Sequence, residues 1–163
     1  MIIVSVGTQL PFDRLIRMVD DLAPSLHDKA FAQTGRGVYV PKNIEWKADV
    51  PAKEFDALLS GASVLVAHAG IGTVLKADQY GKPIILVPRK ASLGEHRNDH
   101  QLATVSKLKG RPGIYVAEEQ DELLRLLSDT DSLSRPSALD PPGRIRLQSH
   151  LEMIVNGAIG AAR

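Results

Sequence analysis

Along most of this chain, short runs of β-branched and aliphatic residues are each followed by a polar loop and then by apolar residues at helical spacing. That recurrence limits the fold more than any other feature, because strands alternating with helices bury both faces of a parallel sheet. The run "IIVSV" (residues 2–6) predicts a first strand, "GTQLP" its loop and "FDRLIRMVDDL" its helix. "KAFAQTG" predicts a second strand and "NIEWKADVP" a third, with the helix "AKEFDALLSG" ending at Gly61. "SVLVAH" and "GTVLKADQY" form the next strand and helix, closed by Gly81 and Pro83. "PIILVP" is another buried strand, and the polar loop "RKASLGEHRND" leads to the helix "HQLATVSKL", which Asn98 or Asp99 is placed to cap. "GIYVA" and "EEQDELLRLLS" complete the alternation. The stretch "SDTDSLSRPSALDPPG" reads as a linker, after which Leu147, Leu151, Ile154, Val155 and Ala158 share one face of a helix.

The expected division is an α/β domain over residues 1–128, a linker over 129–143 and an amphipathic helix over 144–163. A chain of 163 residues can bury a substantial core as one domain. Its 20 basic and 19 acidic residues leave a formal charge of +1, so no long-range field points to nucleic acid and any anion site must be local. The lack of cysteine excludes disulfides and thiolate metal sites and accords with a reducing cytoplasm. "MIIVSVGTQLP" has no basic leader and reads as a strand, not a signal peptide. No run approaches the roughly 18 apolar residues that span a bilayer, so work at a membrane would need an anchor supplied from elsewhere.

Ligands of open parallel sheets bind outside the carboxyl ends of the strands, which directs attention to three loops. In "HAGIGT" the glycines Gly70 and Gly72 admit close backbone approach, Thr73 offers a hydroxyl, and the helix start attracts anions. His68, at the strand end, is positioned for a phosphate or a sugar hydroxyl, although for a histidine taken singly an ordinary structural role is the commoner one. "GTQLP" opens on the same sheet edge with Gly7, Thr8 and Gln9, so two glycine-hydroxyl loops flank one place for a diphosphate. The third loop, "GEHRNDHQ", gathers Glu95, His96, Arg97, Asn98, Asp99, His100 and Gln101, donors and acceptors suited to sugar hydroxyls. His96 and His100 stand four apart, but His96 precedes the helix, which argues against a shared metal. The dinucleotide fingerprint fails because Leu75 stands where its third glycine belongs, and neither a P-loop nor a G-x-S-x-G elbow is present.

These motifs together resemble the nucleotide-sugar-binding half of a GT-B glycosyltransferase of family 28. The resemblance runs from "VSVGTQLPFDRLI" through "ADVPAKEFDALLSGASVLVAHAGIGTVLKADQYGKPIILVPR" to "LGEHRNDHQLA", most of residues 1–108. It is similar in particular to catalytic subunits of bacterial exopolysaccharide β-1,4-glucuronosyltransferases, and also to the cytosolic subunit of the eukaryotic enzyme that adds the second GlcNAc to a dolichol-linked glycan. The resemblance implies a Rossmann-like parallel sheet with helices on both faces, equivalent to the C-terminal half of a GT-B enzyme. It implies a UDP-sugar donor, a lipid-linked saccharide acceptor, and a membrane-anchored partner that binds the acceptor and holds this chain at the cytoplasmic face. Gly7, Thr8, Gln9, His68, Gly70, Gly72 and Thr73 would hold the diphosphate, backbone near Val87, Pro88 and Arg89 the uracil, and Glu95, His96, Asn98, Asp99 and Gln101 the donor sugar. Such enzymes commonly invert the anomeric centre without a metal or other cofactor. The general base is expected on the partner, with His68 and His96 as the weaker candidates here. Many relatives bind ribose through a glutamate eight residues after the loop histidine; here that position is Lys76. Glucuronic acid is the expected donor sugar, with Arg89 or Arg97 to pair its carboxylate; a UDP-GlcNAc transferase subunit and a non-catalytic nucleotide-sugar-binding scaffold are the alternatives.

Overall fold

The structure, a computed structural model, describes residues 1–136, 149–150 and 152–153. Six strands, β1 (Ile2–Ser5), β2 (Ala30–Gln33), β3 (Glu45–Lys47), β4 (Val64–His68), β5 (Ile84–Val87) and β6 (Ile114–Val116), form one sheet in the order β3-β2-β1-β4-β5-β6. Every pairing is parallel. Five helices alternate with them: α1 (Asp13–Leu22), α2 (Ala52–Ser60), α3 (Ile71–Gln79), α4 (His100–Leu108) and α5 (Gln120–Leu127). The expected parallel α/β sheet is therefore present, with each helix within a few residues of its sequence-based bounds.

Strand alternation divides the core in two. Ile3, Leu65 and Ile84 lie in register on one face and pack with Leu59, Val74, Ala77, Val105 and Leu108 of α2, α3 and α4. Val4, Val66 and Ile85 form the matching row on the other face, against Leu15, Ile16 and Val19 of α1 and Leu123 and Leu127 of α5. Each such aliphatic side chain taken from water contributes about 1.5–3 kcal/mol, which is why continuous apolar strands are stable only when both faces are covered. The two helical layers follow from connection handedness. The chain leaves β1 toward β2 and leaves β4 toward β5 in the opposite sense, so right-handed crossovers put α1 and α3 on opposite faces.

Between β1 and β4 the order reverses, and the loops after these neighbouring strands diverge to leave a crevice. Local signals hold the frame around it. Gly81 adopts φ +60 and ends α3, and a reciprocal box between Glu119 and Glu122 caps α5. The cap expected of Asn98 or Asp99 divides between them: Asp99 occupies the position before α4, but it is the Asn98 side chain that accepts from the His100 N–H at 3.3 Å. Thr130–Ser132, in the stretch read as a linker, forms a short turn. Leu133 behind it is buried in the α1–α5 layer, and Thr130 donates to Asp28 at 3.1 Å. Of the helix expected over residues 144–163, Ser149, His150, Glu152 and Met153 are helical, while Leu147, Leu151, Ile154, Val155 and Ala158 lie outside the described residues. Among the described residues no helix is long and apolar enough to cross a membrane.

Candidate functional site

A cavity of about 520 Å³ opens at the β1–β4 reversal, within the size range of small-molecule sites. Of the sequence-predicted residues, it brings together Gly7, Thr8, Gln9, His68, Gly70, Gly72, Thr73, Arg89, His96 and Gln101. Pro88, Glu95, Asn98 and Asp99 do not line it.

The β1–α1 loop begins at Gly7, whose φ of +78 turns the chain out of the strand. A buried pair beneath fixes that turn: Ser5 Oγ donates to Gln33 Oε1 at 3.0 Å, and Gln33 Nε2 donates to the Gly7 carbonyl at 3.1 Å. Gln33 also donates to the Ala48 carbonyl at 3.3 Å, tying this loop to the one between β3 and α2.

The glycines of the neighbouring loop divide by role. A Cβ on Gly7 would stand 2.6 Å from His68 Nε2, and one on Gly70 would collide with His68 Cε1. These two glycines make room for the imidazole ring. Gly72 is different: a Cβ there would meet no protein atom within 4 Å, so its bareness serves the cavity and not the core. It lies in the first turn of α3, where backbone amides have no intrahelical acceptor and the helix dipole favours an anion.

Burial chiefly, and then the nearby Arg89 and His96, push His68 down to about 4 from its usual 6.5. At neutral pH the ring is uncharged. Gln101 Oε1 accepts from the Ala69 and Arg89 amides at 3.2 and 3.0 Å, which turns Gln101 Nε2 toward His68 Nδ1 at 3.5 Å. With Nδ1 facing a donor, the ring proton resides on Nε2, the nitrogen beside Gly7. A side chain so hard to protonate is a weak proton acceptor, so the base role is disfavoured for His68 while that of a neutral hydrogen-bond donor is open. His96 is at the rim, its Nδ1 3.1 Å from Asn98 Oδ1.

Several groups expected to contact the sugar and the uracil already have partners within the protein. Glu95 receives both Arg14 Nε and Nη2, at 2.7 and 2.9 Å, and the Lys90 N–H at 2.9 Å. Its carboxylate braces the β5–α4 loop and does not face the cavity. Asp99 Oδ1 accepts from the Ala91 N–H at 2.9 Å in the same loop. The Pro88 carbonyl accepts from Arg14 Nη2 at 2.8 Å and the Arg89 N–H donates to Gln101 Oε1 at 3.0 Å. Arg89 itself is 2 % exposed, with its guanidinium among loop carbonyls. Arg97 is exposed and off the cavity wall.

The β3–α2 connection and the start of α2 supply a wall the sequence reading did not assign: Asp49 and Val50 from the connection, Ala52 and Phe55 from the helix. Beside it Lys76 pairs with Asp56 of α2 at 2.6 Å and stands 5.6 Å from the Phe55 ring centre. Lys76 therefore lines the cavity as a partner of α2. Asp49, exposed at the cavity mouth, is a carboxylate of this wall within the described residues.

Comparison with known proteins places this geometry. Residues 1–137 match the glycosyltransferase family 28 C-terminal domain. The chain belongs to that family. Over 80 residues it is 39% identical to the UDP-N-acetylglucosamine--N-acetylmuramyl-(pentapeptide) pyrophosphoryl-undecaprenol N-acetylglucosamine transferase of Treponema denticola, a match covering 47% of this chain and 20% of that protein. The fold is similar to the solution structure of ALG13, with a TM-score of 0.60 at 16% identity over 93% of this chain and 96% of that one. It is also similar to the glycotransferase of kitacinnamycin, with a TM-score of 0.61 at 23% identity over 96% of this chain and 39% of that one. Acinetobacter baumannii MurG gives 0.52 at 15% identity, over 92% of this chain and 49% of its own. This family 28 chain thus spans about a fifth of its curated relative and under half of two of these three structures.

Proposed function

We propose that this chain is the donor-binding part of an inverting glycosyltransferase that moves a sugar from a UDP-sugar to a lipid-diphosphate-linked saccharide, working with a membrane-anchored partner that carries the acceptor site. The observation that carries the reading is that Gly72, in the first turn of α3, lines a cavity of nucleotide-sugar size with open space where a side chain would stand. In this account the diphosphate lies between residues 7–9 and the α3 start, and the base lies against the apolar Val50 and Phe55 side.

The chemistry follows from charge. The acceptor hydroxyl attacks the anomeric carbon, the bond from that carbon to the β-phosphate oxygen breaks with its electron pair leaving on UDP, and the hydroxyl proton passes to a base on the partner. Negative charge grows on the departing diphosphate, and fixed amides with the α3 dipole stabilise it there. His68 takes part as a neutral donor through Nε2. The similarity to the solved ALG13 chain, 96% of which is covered by this fold, supports a chain that consists of little more than this domain and meets its other half in a partner.

Two donor sugars are in competition. Glucuronic acid rests on the resemblance to exopolysaccharide enzymes; of the two arginines proposed for its carboxylate, Arg89 lines the cavity with its guanidinium among carbonyls and Arg97 is exposed off the cavity wall. N-acetylglucosamine is favoured by the 39% identity to a protein named as a UDP-N-acetylglucosamine-dependent transferase. Calorimetric titration of UDP, UDP-glucuronic acid and UDP-GlcNAc against the purified chain, alone and with its partner, tests the reading. All three are expected to bind, with the true donor tightest. Absence of UDP binding under both conditions overturns it. If the partner alone transfers sugar at full rate, the chain is a scaffold instead.

A further inference from the structure

We infer that Arg89 is a positioning residue for the phosphate-facing loop: it gathers the carbonyls of Val6, Leu10 and Pro11 and thereby presents the Thr8 and Gln9 amides to the ligand. The inference rests on the donor-site reading above and adds to it the device that shapes one side of the site. Arg89 Nη2 donates to the Val6 and Leu10 carbonyls at 2.8 and 2.9 Å, and Nη1 donates to the Pro11 carbonyl and, at 3.4 Å, to the main-chain carbonyl of Glu95. The guanidinium carbon lies 4.5 Å from the centre of the Phe12 ring, with Arg14 at 5.2 Å from the same ring.

A buried guanidinium normally seeks a carboxylate. Here the adjacent one, Glu95, is bound to Arg14 and to the Lys90 amide, and the donors of Arg89 go to main-chain carbonyls. Three of those carbonyls belong to one short loop, so the side chain dictates the path of residues 6–11. From the opposite side Gln33 holds the Gly7 carbonyl. In a trans peptide the following N–H points away from that carbonyl, so Thr8 N–H is directed away from Gln33. Among the described residues nothing accepts from the Thr8 or Gln9 amide, although both residues line the cavity. Arg89 is thus the inner clamp of an amide-presenting loop, and its fixed positive charge lies close behind.

Clamping and direct pairing with an acidic sugar make different predictions. Arg89→Met is expected to weaken UDP and inorganic pyrophosphate by tenfold or more. It should weaken UDP-glucuronic acid and UDP-glucose by the same factor, because all share the diphosphate. Arg89→Lys should recover part of the loss. Leu123→Ala, in the core away from the cavity, serves as a control of matched thermal stability and should leave these affinities unchanged. Unchanged UDP affinity in Arg89→Met overturns the clamp, as does a loss confined to the uronic acid donor. Should both Arg89 variants fail to fold, amide NMR of the wild-type chain decides: pyrophosphate is expected to shift the Thr8 and Gln9 resonances, and silent resonances overturn the inference. Wild-type protein that binds neither UDP nor pyrophosphate instead defeats the donor-site reading itself.

Discussion

Replacing Gly72 by alanine separates a glycine that serves the ligand from glycines that serve the fold. No protein atom lies within 4 Å of the added methyl, and the residue is already helical, so the folded state accepts it without strain. Alanine is the better helix former by up to about 1 kcal/mol in a helix interior, less in a first turn, so the melting temperature should hold or rise slightly. The methyl would project into the cavity, where the account places a diphosphate oxygen. Loss of one hydrogen bond to a charged group costs about 1.5–3 kcal/mol, and about 1.4 kcal/mol is a factor of ten, so UDP affinity should fall by roughly ten- to a hundredfold. Calorimetry and a thermal melt on the same preparation read both quantities. Gly7→Ala and Gly70→Ala form the contrast, since their methyls meet the His68 ring and, at Gly7, a left-handed backbone adds about 1–2 kcal/mol of strain. Those two should lose stability as well as binding. A Gly72→Ala protein that binds UDP as wild type does would refute the assignment of the α3 start as the anion site.

Three further perturbations probe the frame. His68 titrates near 4 when folded against about 6.5 unfolded, so the unfolded chain binds more protons between those values; this contribution is full above pH 6.5 and lost as pH falls toward 4. At about 1.4 kcal/mol per unit it amounts to about 3 kcal/mol at most, and denaturant titrations should show His68→Gln with a correspondingly shallower slope across that window. Asp20, 1 % exposed, accepts from Tyr39 Oη at 2.6 Å and from the Lys42 and Asn43 amides, bonds that outweigh the upward push of burial and hold its carboxyl below the usual value. Asp20→Asn turns an N–H toward those donors and should cost about 2–4 kcal/mol by urea melt while UDP affinity is retained. Glu95→Gln weakens the Arg14 brace and should cost about 1–3 kcal/mol, with faster amide exchange in residues 90–99 as its signature.

What the sequence made legible was local. Apolar runs located the central strands β1, β4 and β5, because a strand buried on both faces must be apolar, whereas β3 is the exposed edge segment Glu45–Lys47; "GTQLP" and "HAGIGT" located two sides of the cavity because their strands are neighbours. What it hid was partnership across distance. Nothing near Glu95 in sequence shows that Arg14, 81 positions away, pairs with both its oxygens. Arg89 reads in sequence as a partner for a sugar carboxylate, and nothing local shows that the loop after β1 folds around it. The wall of Asp49, Val50 and Phe55 carries no glycine or histidine to mark it, and it reaches the cavity only through the Gln33 bond to Ala48 and the packing of α2. Lys76, anomalous as a ribose ligand, becomes intelligible beside Asp56.

The central claim is that a diphosphate lies between residues 7–9 and the first turn of α3. A crystal structure of the chain with UDP tests it most directly. The account predicts phosphate oxygens within hydrogen-bond distance of the Thr8, Gln9 and Gly72 amides, with the uracil toward Val50 and Phe55. Phosphates bound elsewhere, with those amides left facing solvent, would contradict it.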